Sequence, residues 1–232
     1  MPLGDPCAES ADGLPVCFED EHWIAVDKPS GLLVHRSAHD PKARAALQVV
    51  RDQTGRYVYP IHRLDRGTSG LLLFAFSKSA AAQLQQALTD GRKEYLALAR
   101  FPGACPDLGD AWANDRPLRN DRGEPQLCHT DFVLVQRWDR CGLVRAMPRT
   151  GRYHQIRRHL NHSGRHVIGD TTHGKGKTNR FFRSRHGLRR LFLHLGVLTI
   201  EHPFRRERVV LRSALPPELV AVLTSLGAGD SG

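Results

Sequence analysis

The chain has 232 residues, of which 40% are hydrophobic and 25% are charged, so it can form a substantial core and has the composition of a globular enzyme. It lacks the roughly 18–20 consecutive apolar residues of a membrane span and the N-terminal pattern of a signal peptide, so we expect a cytoplasmic protein that does not associate with membranes. Its net charge of +10 favours a polyanionic partner.

The first predicted elements are a strand over 21–26 and a helix over 41–52. The short apolar stretch of EHWIAV indicates the strand, and the turn-forming sequence KPSG follows it. Asp40 is a candidate N-cap for the helix, because the next residue, Pro41, suits the first helical position.

A buried strand, a helix and a second strand are expected next. The continuous apolar run over 70–76 predicts the buried strand. Ala, Leu and Gln dominate the following residues, so we predict a helix that is capped by Ser77 and ends at Gly91. The alternation over 93–100 predicts a strand with Tyr95, Ala97 and Ala99 on one face.

The middle of the chain is predicted to contain a surface excursion, a hairpin and a helix. Four prolines and few apolar residues over 101–127 indicate an irregular surface segment. Residues 132–137 and 142–147 alternate on either side of a polar tetrapeptide, as in a hairpin. Residues 152–161 have helical character and precede Gly164.

The C-terminal part adds strands over 191–200 and 209–212 and a helix that begins at Pro216-Pro217. Strands outnumber helices, and several are close enough in the chain to pair antiparallel. We therefore expect an α+β protein with one extended, mostly antiparallel mixed sheet and flanking helices. Residues 15–226 are expected to form a single domain, with flexible tails over 1–14 and 227–232.

The segment before the buried strand contains a single carboxylate, Asp65, in the sequence HRLDRGTSG. Arg63 and Arg66 flank it, and neighbouring guanidinium groups favour the ionised form of a carboxylate. An oriented, ionised carboxylate on a loop suits a nucleophile or a base. From the residues alone, a structural turn or a salt bridge accounts for Asp65 equally well.

Four ordered blocks resemble the RluA-type pseudouridine synthases. They are the HRLD…TSG segment, an earlier KPSGLLVH block, the KEY strand that begins at Lys93, and GRYHQIRRHL followed by VIGD and HG. The similarity extends over about residues 20–213. It implies the catalytic fold of that family and the isomerisation of uridine to pseudouridine in RNA.

The resemblance also implies roles for individual residues. Asp65 matches the catalytic aspartate, which either attacks C1′ of the ribose or removes the C2′ proton. Tyr95 would stack on the flipped base, and Arg157 would pair with Asp65. Arg63 would occupy the space that the extruded nucleotide leaves. The other expected RNA-binding residues are His62, Arg66, Arg152, Arg158, Lys175, Lys177, Arg180 and Arg183.

The excess positive charge is concentrated in one stretch, residues 149–190. It contains twelve Arg or Lys residues and one acid, Asp170, so the other 190 residues sum to −1. Within it, residues 171–190 carry seven basic residues and two phenylalanines and no acid. We expect this basic insert to be a loop that lies on an RNA backbone.

The sequence from Gly169 onward is similar to a branch of the family that modifies uridine 65 of certain tRNAs, a position unrelated to Asp65. Family members that act on ribosomal RNA often carry an N-terminal S4-like domain, which we do not expect here. tRNA is therefore the expected partner, and ribosomal RNA is the alternative.

No metal, cofactor or nucleotide site is expected. The histidines lack a supporting set of Cys or carboxylate ligands, and the glycines match no phosphate-binding loop. The five scattered cysteines are expected to be free thiols. Two other classes of protein fit less well: a noncatalytic RNA-binding module has no need of Asp65, and a retaining glycosidase needs a second carboxylate. A monomer is expected.

Overall fold

The computed structural model describes residues 13–36, 42–102 and 110–229. Its strands are β1 (Val16–Glu19), β2 (Trp23–Lys28), β3 (Tyr59–Pro60), β4 (Ser69–Ala75), β5 (Arg92–Arg100), β6 (Ala111–Asn114), β7 (Leu118–Arg119), β8 (Pro125–Gln126), β9 (Thr130–Arg137), β10 (Cys141–Pro148), β11 (Leu193–Glu201) and β12 (Arg208–Arg212). Its helices are α1 (Ala46–Thr54), α2 (Lys78–Asp90), α3 (Gln155–His162), α4 (Gly176–His186) and α5 (Pro217–Gly229).

Among the described residues, ten strands belong to one sheet and β7 and β8 form a separate pair, which confirms the predicted α+β class. The chain divides into two compact units. The first comprises the described residues up to Lys93 together with Leu195–Ala214, and the second comprises Glu94–His194 and the residues from Leu215 onward.

The strands of the first unit follow the order β1, β2, β4, β11, with β3 on β4 and β12 on β11. Every residue of β4 is buried, as its apolar run predicts. A Cβ atom on Gly70 would lie 2.2 Å from the carbonyl oxygen of Leu195, so this position of β4 requires glycine. The predicted Ser77 cap is confirmed, because its side chain accepts a hydrogen bond from the Ala80 amide.

In the second unit the strands follow the order β5, β10, β9, β6. Ala97 and Ala99 of β5 pack in one cluster with Ile156 and Leu160 of α3, and Tyr95 packs against that cluster. Leu98 belongs to a second cluster, together with residues of α4 and α5. The predicted alternation of β5 is therefore confirmed, and the sheet of this unit is covered on both faces.

The prediction of a helix over 41–52 is correct in type and wrong in its start. The helix begins at Ala46, and Ala45 precedes it in an extended conformation with no side-chain cap. The Ala46 amide donates to the Leu33 carbonyl at 2.8 Å, and Leu33 and Ala45 form an isolated bridge. This pairing holds the preceding residue extended. The predicted cap, Asp40, lies outside the described residues.

The prediction of an irregular segment over 101–127 is wrong in part, because β6, β7 and β8 fall within it. β6 pairs antiparallel with β9. Trp112 of β6 stacks on Phe132 of β9, with ring centroids 5.3 Å apart and an interplanar angle of 17°. One aromatic pair thus fixes a strand that the prolines obscure in the sequence.

The prediction that the basic insert is a loop is also wrong, since residues 176–186 form α4. Phe182 is buried in the second core cluster, and Leu188 just beyond the helix joins it there. Gly187 ends the helix in the left-handed conformation, with φ of 72°. Burial of the Phe182 side chain therefore stabilises a helix in a segment that is otherwise polar.

The late strands and the terminal helix match the prediction, with Pro217 at the first position of α5. The helix continues to Gly229, so three residues of the predicted C-terminal tail are helical. Residues 1–12 and 230–232 of the predicted tails lie outside the described residues. The single-domain assignment stays a prediction.

The expectation of thiols outside disulfides is confirmed for Cys128 and Cys141, which are buried and not disulfide-bonded. It is wrong for Cys17, which is disulfide-bonded. A disulfide depends on the distance between two Cβ atoms, which the spacing of cysteines along the chain does not reveal. Within the described part of the chain, no helix combines the length and apolar character that crossing a bilayer requires.

Candidate active site

The HRLD segment lies in the first unit, between β3 and β4. The Ile61 amide donates to the Leu73 carbonyl at 2.9 Å, and Leu64 is buried. The Thr68 amide donates to the Asp65 carbonyl oxygen at 3.0 Å, which closes a turn directly after Asp65. The half-buried Asp65 is thereby carried on a backbone that is fixed on both sides.

The KPSG block forms hydrogen bonds to this loop, although Gly31 and Arg66 are 35 residues apart in the chain. The Gly31 amide donates to the Arg66 carbonyl at 2.7 Å, and Arg66 Nε returns a hydrogen bond to the Gly31 carbonyl at 3.0 Å. Ser30 Oγ donates to the Gly67 carbonyl at 2.9 Å. Two of the four sequence blocks therefore form one structural unit, in which the Arg66 side chain supports the backbone.

Lys28 anchors the KPSG turn from inside the protein. Its side chain is completely buried, and Nζ donates to the carbonyl oxygens of Pro29 and Leu32 at 2.8 Å each. A buried ammonium group needs such acceptors, because burial without them is costly. The lysine of the early family block thus fixes the turn that holds the Asp65 loop.

His62, the first residue of the HRLD segment, is held neutral. Burial, followed by the positive charge of Lys93, lowers the pKa of His62 to about 3. Its Nε2 accepts a hydrogen bond from the Leu73 amide at 3.4 Å. The neutral ring therefore offers no cation to a phosphate group.

Lys93 and Arg63 differ in their surroundings. Burial lowers the pKa of Lys93, whose Nζ donates to the Leu88 carbonyl at 3.4 Å. Arg63 is exposed on the outer side of the HRLD segment. The KEY and HRLD blocks meet in the first unit through the electrostatic contact between Lys93 and His62.

In the second unit, Arg157 of α3 forms a buried ion pair with Asp170. Arg157 Nε lies 2.7 Å from Asp170 Oδ2, and Nη2 lies 2.7 Å from Oδ1. The side chains are 7% and 0% exposed. These two hydrogen bonds form a bidentate pair, which fixes the plane of the guanidinium group. The GRYHQIR and VIGD blocks thus meet, as the KPSG and HRLD blocks do in the first unit.

Asp170 is ionised in this site. Burial by itself raises the pKa of Asp170, but hydrogen bonds from Arg157 and from the amides of His173 and Thr172 outweigh burial and lower the pKa to about 2. The two amides donate to Oδ1 at 2.9 and 2.8 Å. Asp170 therefore joins α3 to the segment that precedes α4.

The sequence assigned no role to Gln155, nor to Asp170, although both belong to this site. Gln155 Oε1 accepts from Thr150 Oγ1 at 2.7 Å and from the Arg152 amide at 3.0 Å. Its Nε2 donates to the His129 carbonyl and to Thr130 Oγ1, both at 3.0 Å. The buried amide thus fixes the turn that leads into α3. Its position in the HQIR block is the only signal that the sequence carried.

Tyr95 is half-buried on β5, opposite Ala146 of β10. Arg152 is exposed, and its Nε donates to the Leu127 carbonyl at 3.3 Å. Arg158 Nη1 donates to the Arg119 carbonyl at 3.0 Å. The predicted Tyr95, Arg152, Arg157 and Arg158 all belong to the second unit.

The basic stretch contains both structural and exposed cations. Arg165 is buried over the rings of Phe101 and Trp112, at 4.7 and 5.1 Å. Arg190 Nη1 forms an ion pair with Glu218 at 3.0 Å. By contrast, six residues on and beside α4 are exposed: Lys175, Lys177, Arg180, Arg183, Arg185 and Arg189. The surplus charge of the sequence is thus concentrated at this helix.

Comparison with known proteins shows which family the chain resembles. Residues 22–162 match the family model described as RNA pseudouridylate synthase. Proteins named tRNA pseudouridine synthase C from Vibrio vulnificus (strain CMCP6) and Pasteurella multocida (strain Pm70) are 35% and 37% identical to the chain. These alignments cover 86% and 85% of this chain and 90% of each relative.

The structure of human RNA pseudouridylate synthase domain containing 4 shares the fold, with a TM-score of 0.75, 22% identity and coverage of 93% of both chains. The family match includes the KPSG, HRLD, KEY and HQIR blocks, whose contacts build the sites described above. The resemblance to RluA-type enzymes is therefore confirmed, and the chain belongs to the RNA pseudouridylate synthase family, as an isomerase that forms pseudouridine in RNA.

Proposed function

We propose that this enzyme acts on tRNA in the cytoplasm as a monomer and isomerises uridine 65. Its relatives at 35% and 37% identity are named tRNA pseudouridine synthase C, and the alignments extend over most of both chains. This similarity is the observation that carries the proposal. The exposed cations of α4 support it, because tRNA presents a dense array of phosphates.

Asp65 is the proposed catalytic residue. The reaction breaks the N1–C1′ bond and forms a C5–C1′ bond, while C5 loses a proton and N1 gains one. Either attack of the carboxylate on C1′ or removal of the C2′ proton starts this sequence. The fixed backbone around Asp65 supports both routes, because a preorganised carboxylate loses little entropy when it reacts.

Three further residues have proposed roles in the same reaction. Tyr95 stacks on the flipped base, Arg157 pairs with Asp65, and Arg63 takes the place of the extruded nucleotide. The rigid guanidinium plane of Arg157 supports its role, since Asp170 fixes that plane in advance. The exposure of Arg63 supports insertion into a stem.

The RNA-binding surface is proposed to include the exposed cations Arg152, Lys175, Lys177, Arg180 and Arg183, together with the half-buried Arg158. His62 and Arg66, which border Asp65, are proposed to line the same RNA-binding region. Within the Asp65 loop, His62 contributes a neutral ring and Arg66 donates a hydrogen bond to the Gly31 carbonyl. Both residues are therefore proposed to support the structure of the loop.

The test is a tritium-release assay with tRNA transcripts that carry tritium at C5 of uridine. Each turnover removes the C5 proton, so label enters the solvent in proportion to the pseudouridine formed. We expect release from wild-type tRNA and none from a transcript with cytidine at position 65. Release that persists from the cytidine transcript would reject that position. Modification of ribosomal RNA alone, mapped in a deletion strain, would favour the alternative substrate.

A further inference from the structure

An exposed aromatic stack lies at the start of α3 in the second unit. The side chain of Tyr153 is among the exposed large hydrophobic groups, with 61% of the residue exposed. Its ring stacks on that of His154, with centroids 3.7 Å apart and an interplanar angle of 20°. His154 has φ of 52°, a conformation that costs energy for a residue with a Cβ atom. The fold therefore maintains this stack at some cost.

A chain of hydrogen bonds joins the stack to the buried ion pair. His154 Nδ1 lies 2.9 Å from His173 Nε2. The His173 amide donates to Asp170 Oδ1 at 2.9 Å, and Asp170 holds Arg157. The same carboxylate thus orients Arg157 and fixes the residue that supports the stacked rings.

Basic side chains adjoin the stack. Arg158 Nη1 lies 3.4 Å from the Tyr153 carbonyl oxygen, and the exposed Arg152 precedes Tyr153 in the chain. Burial, followed by the positive charges of Arg116, Arg158 and His173, lowers the pKa of His162. Arg116, Arg158 and His173 therefore lie close enough to His162 to affect its protonation. The Asp170 carboxylate is neutralised by Arg157.

A stack of similar geometry in the first unit provides an internal comparison. Phe204 is 36% exposed and stacks on His22 with centroids 3.7 Å apart and an interplanar angle of 19°. There, however, Glu21 lies 3.1 Å from His22 Nε2. Arg205 pairs with Asp20 and Glu207, and Arg206 with Glu201. The two stacks share their geometry and differ in their charge.

An exposed aromatic ring among cations suits an unpaired nucleobase, because the ring stacks on the base while the cations bind the adjoining phosphates. We propose that Tyr153 stacks on an unpaired base of the RNA substrate other than the target uridine, with Arg152 and Arg158 at the neighbouring phosphates. This inference rests on the proposed function, which assigns the target base to Tyr95. Tyr153 is then a second aromatic contact, which positions the substrate.

Equilibrium binding to tRNA distinguishes a stacking contact from a charge contact. Tyr153→Ala should weaken binding between about 5-fold and about 100-fold. The slope of log affinity against log salt should stay unchanged, because loss of a stacked base releases no counterions. Tyr153→Phe and Tyr153→Trp should bind like the wild type, since both keep an aromatic ring. Phe204→Ala is the matched control and should leave affinity unchanged.

Fluorescence of the Tyr153→Trp variant reports the stacking directly. The native Trp23 and Trp138 are buried and Trp112 is half-buried, so the introduced side chain provides the iodide-accessible signal. tRNA should quench this signal and shield it from iodide, as should an unstructured oligoadenosine. Phe204→Trp should respond to neither RNA.

The outcomes separate this inference from the proposed function. If the wild type modifies tRNA but Tyr153→Ala binds it normally, the stacking inference fails and the function stands. If tRNA is not modified while oligoadenosine still shields the introduced tryptophan, the function fails and the stack stands. Equal losses in Tyr153→Ala and Tyr153→Phe would indicate a hydroxyl contact and overturn the inference. Unchanged melting temperatures establish that the variants are folded.

Discussion

The Asp65 loop and helix α4 use polar residues in opposite ways. In the loop, hydrogen bonds join Arg66 to Gly31 and Ser30 to Gly67, and His62 is neutral. On α4 the Lys and Arg side chains extend to solvent. A reaction centre requires one geometry, whereas attraction to phosphates requires mainly a density of charge. Substitutions in the loop should therefore act on rate, and substitutions on α4 should act on affinity.

The largest effect is expected for Asp65→Asn, which keeps the size of the side chain and removes its charge. Turnover should fall by roughly 10²- to 10⁴-fold, because HRLDRGTSG contains no other carboxylate that could act as nucleophile or base. Affinity for tRNA should change by less than about tenfold, or about 1.4 kcal/mol. The measurements are tritium release and equilibrium binding. Turnover that remains above a few per cent would reject Asp65 as the catalytic residue.

Asp170→Asn should be the most destabilising substitution among those considered. It removes the Asp170 carboxylate that pairs with the buried guanidinium of Arg157, and breaking a buried pair in this way costs about 3–5 kcal/mol. Denaturant unfolding measures the loss. Asp139→Asn is a matched control, because its ion pair with Arg140 is exposed and should contribute less than about 1 kcal/mol.

The same carboxylate predicts a dependence of stability on acid. The pKa of Asp170 is about 2 in the folded protein and about 3.9 in an unfolded chain. The folded state thus binds fewer protons, and this stabilisation is fully present above about pH 4. It should be lost as pH falls from about 4 to about 2, by on the order of 2 kcal/mol. Asp170→Asn should lack this component of the acid dependence.

The proposed role of α4 in binding phosphates is tested by combined replacement of Lys175, Lys177, Arg180 and Arg183 by alanine. The variant should bind tRNA more weakly, with a log–log salt slope flatter by roughly two to four units. The single-turnover rate at saturating RNA should change much less. Exchange of each lysine for arginine and each arginine for lysine is the control, and it should preserve the slope. An unchanged slope in the alanine variant would show that α4 does not bind phosphates.

The smallest effect is expected for Arg63→Ala. This residue is exposed in the loop, so its removal leaves the described contacts of Asp65's backbone intact. A uridine within a stem must be unstacked, at a cost of a few kcal/mol, whereas an unstructured strand avoids most of that cost. Turnover of the stem substrate should therefore fall more than that of the unstructured substrate, by about tenfold. An equal loss of turnover on both substrates would reject the insertion role. It would indicate instead that Arg63 affects the reaction at Asp65.

Elements that depend on local pattern could be predicted from the amino-acid sequence alone. The apolar run of β4, the Ser77 cap of α2 and the alternation of β5 each specify a backbone conformation through neighbouring residues. The ordered motifs identified the family and singled out Asp65. Local patterns suffice for these features because propensity, capping and periodicity act over a few residues.

Which distant residues meet depends on the folded chain as a whole. The pairing of Arg157 with Asp170, the hydrogen bonds between the KPSG and HRLD blocks, and the helical form of residues 176–186 all depend on chain segments returning to one another. Phe182 illustrates the reason: its burial against distant apolar residues outweighs the polar character of its neighbours, and no pattern within the segment reveals that partner.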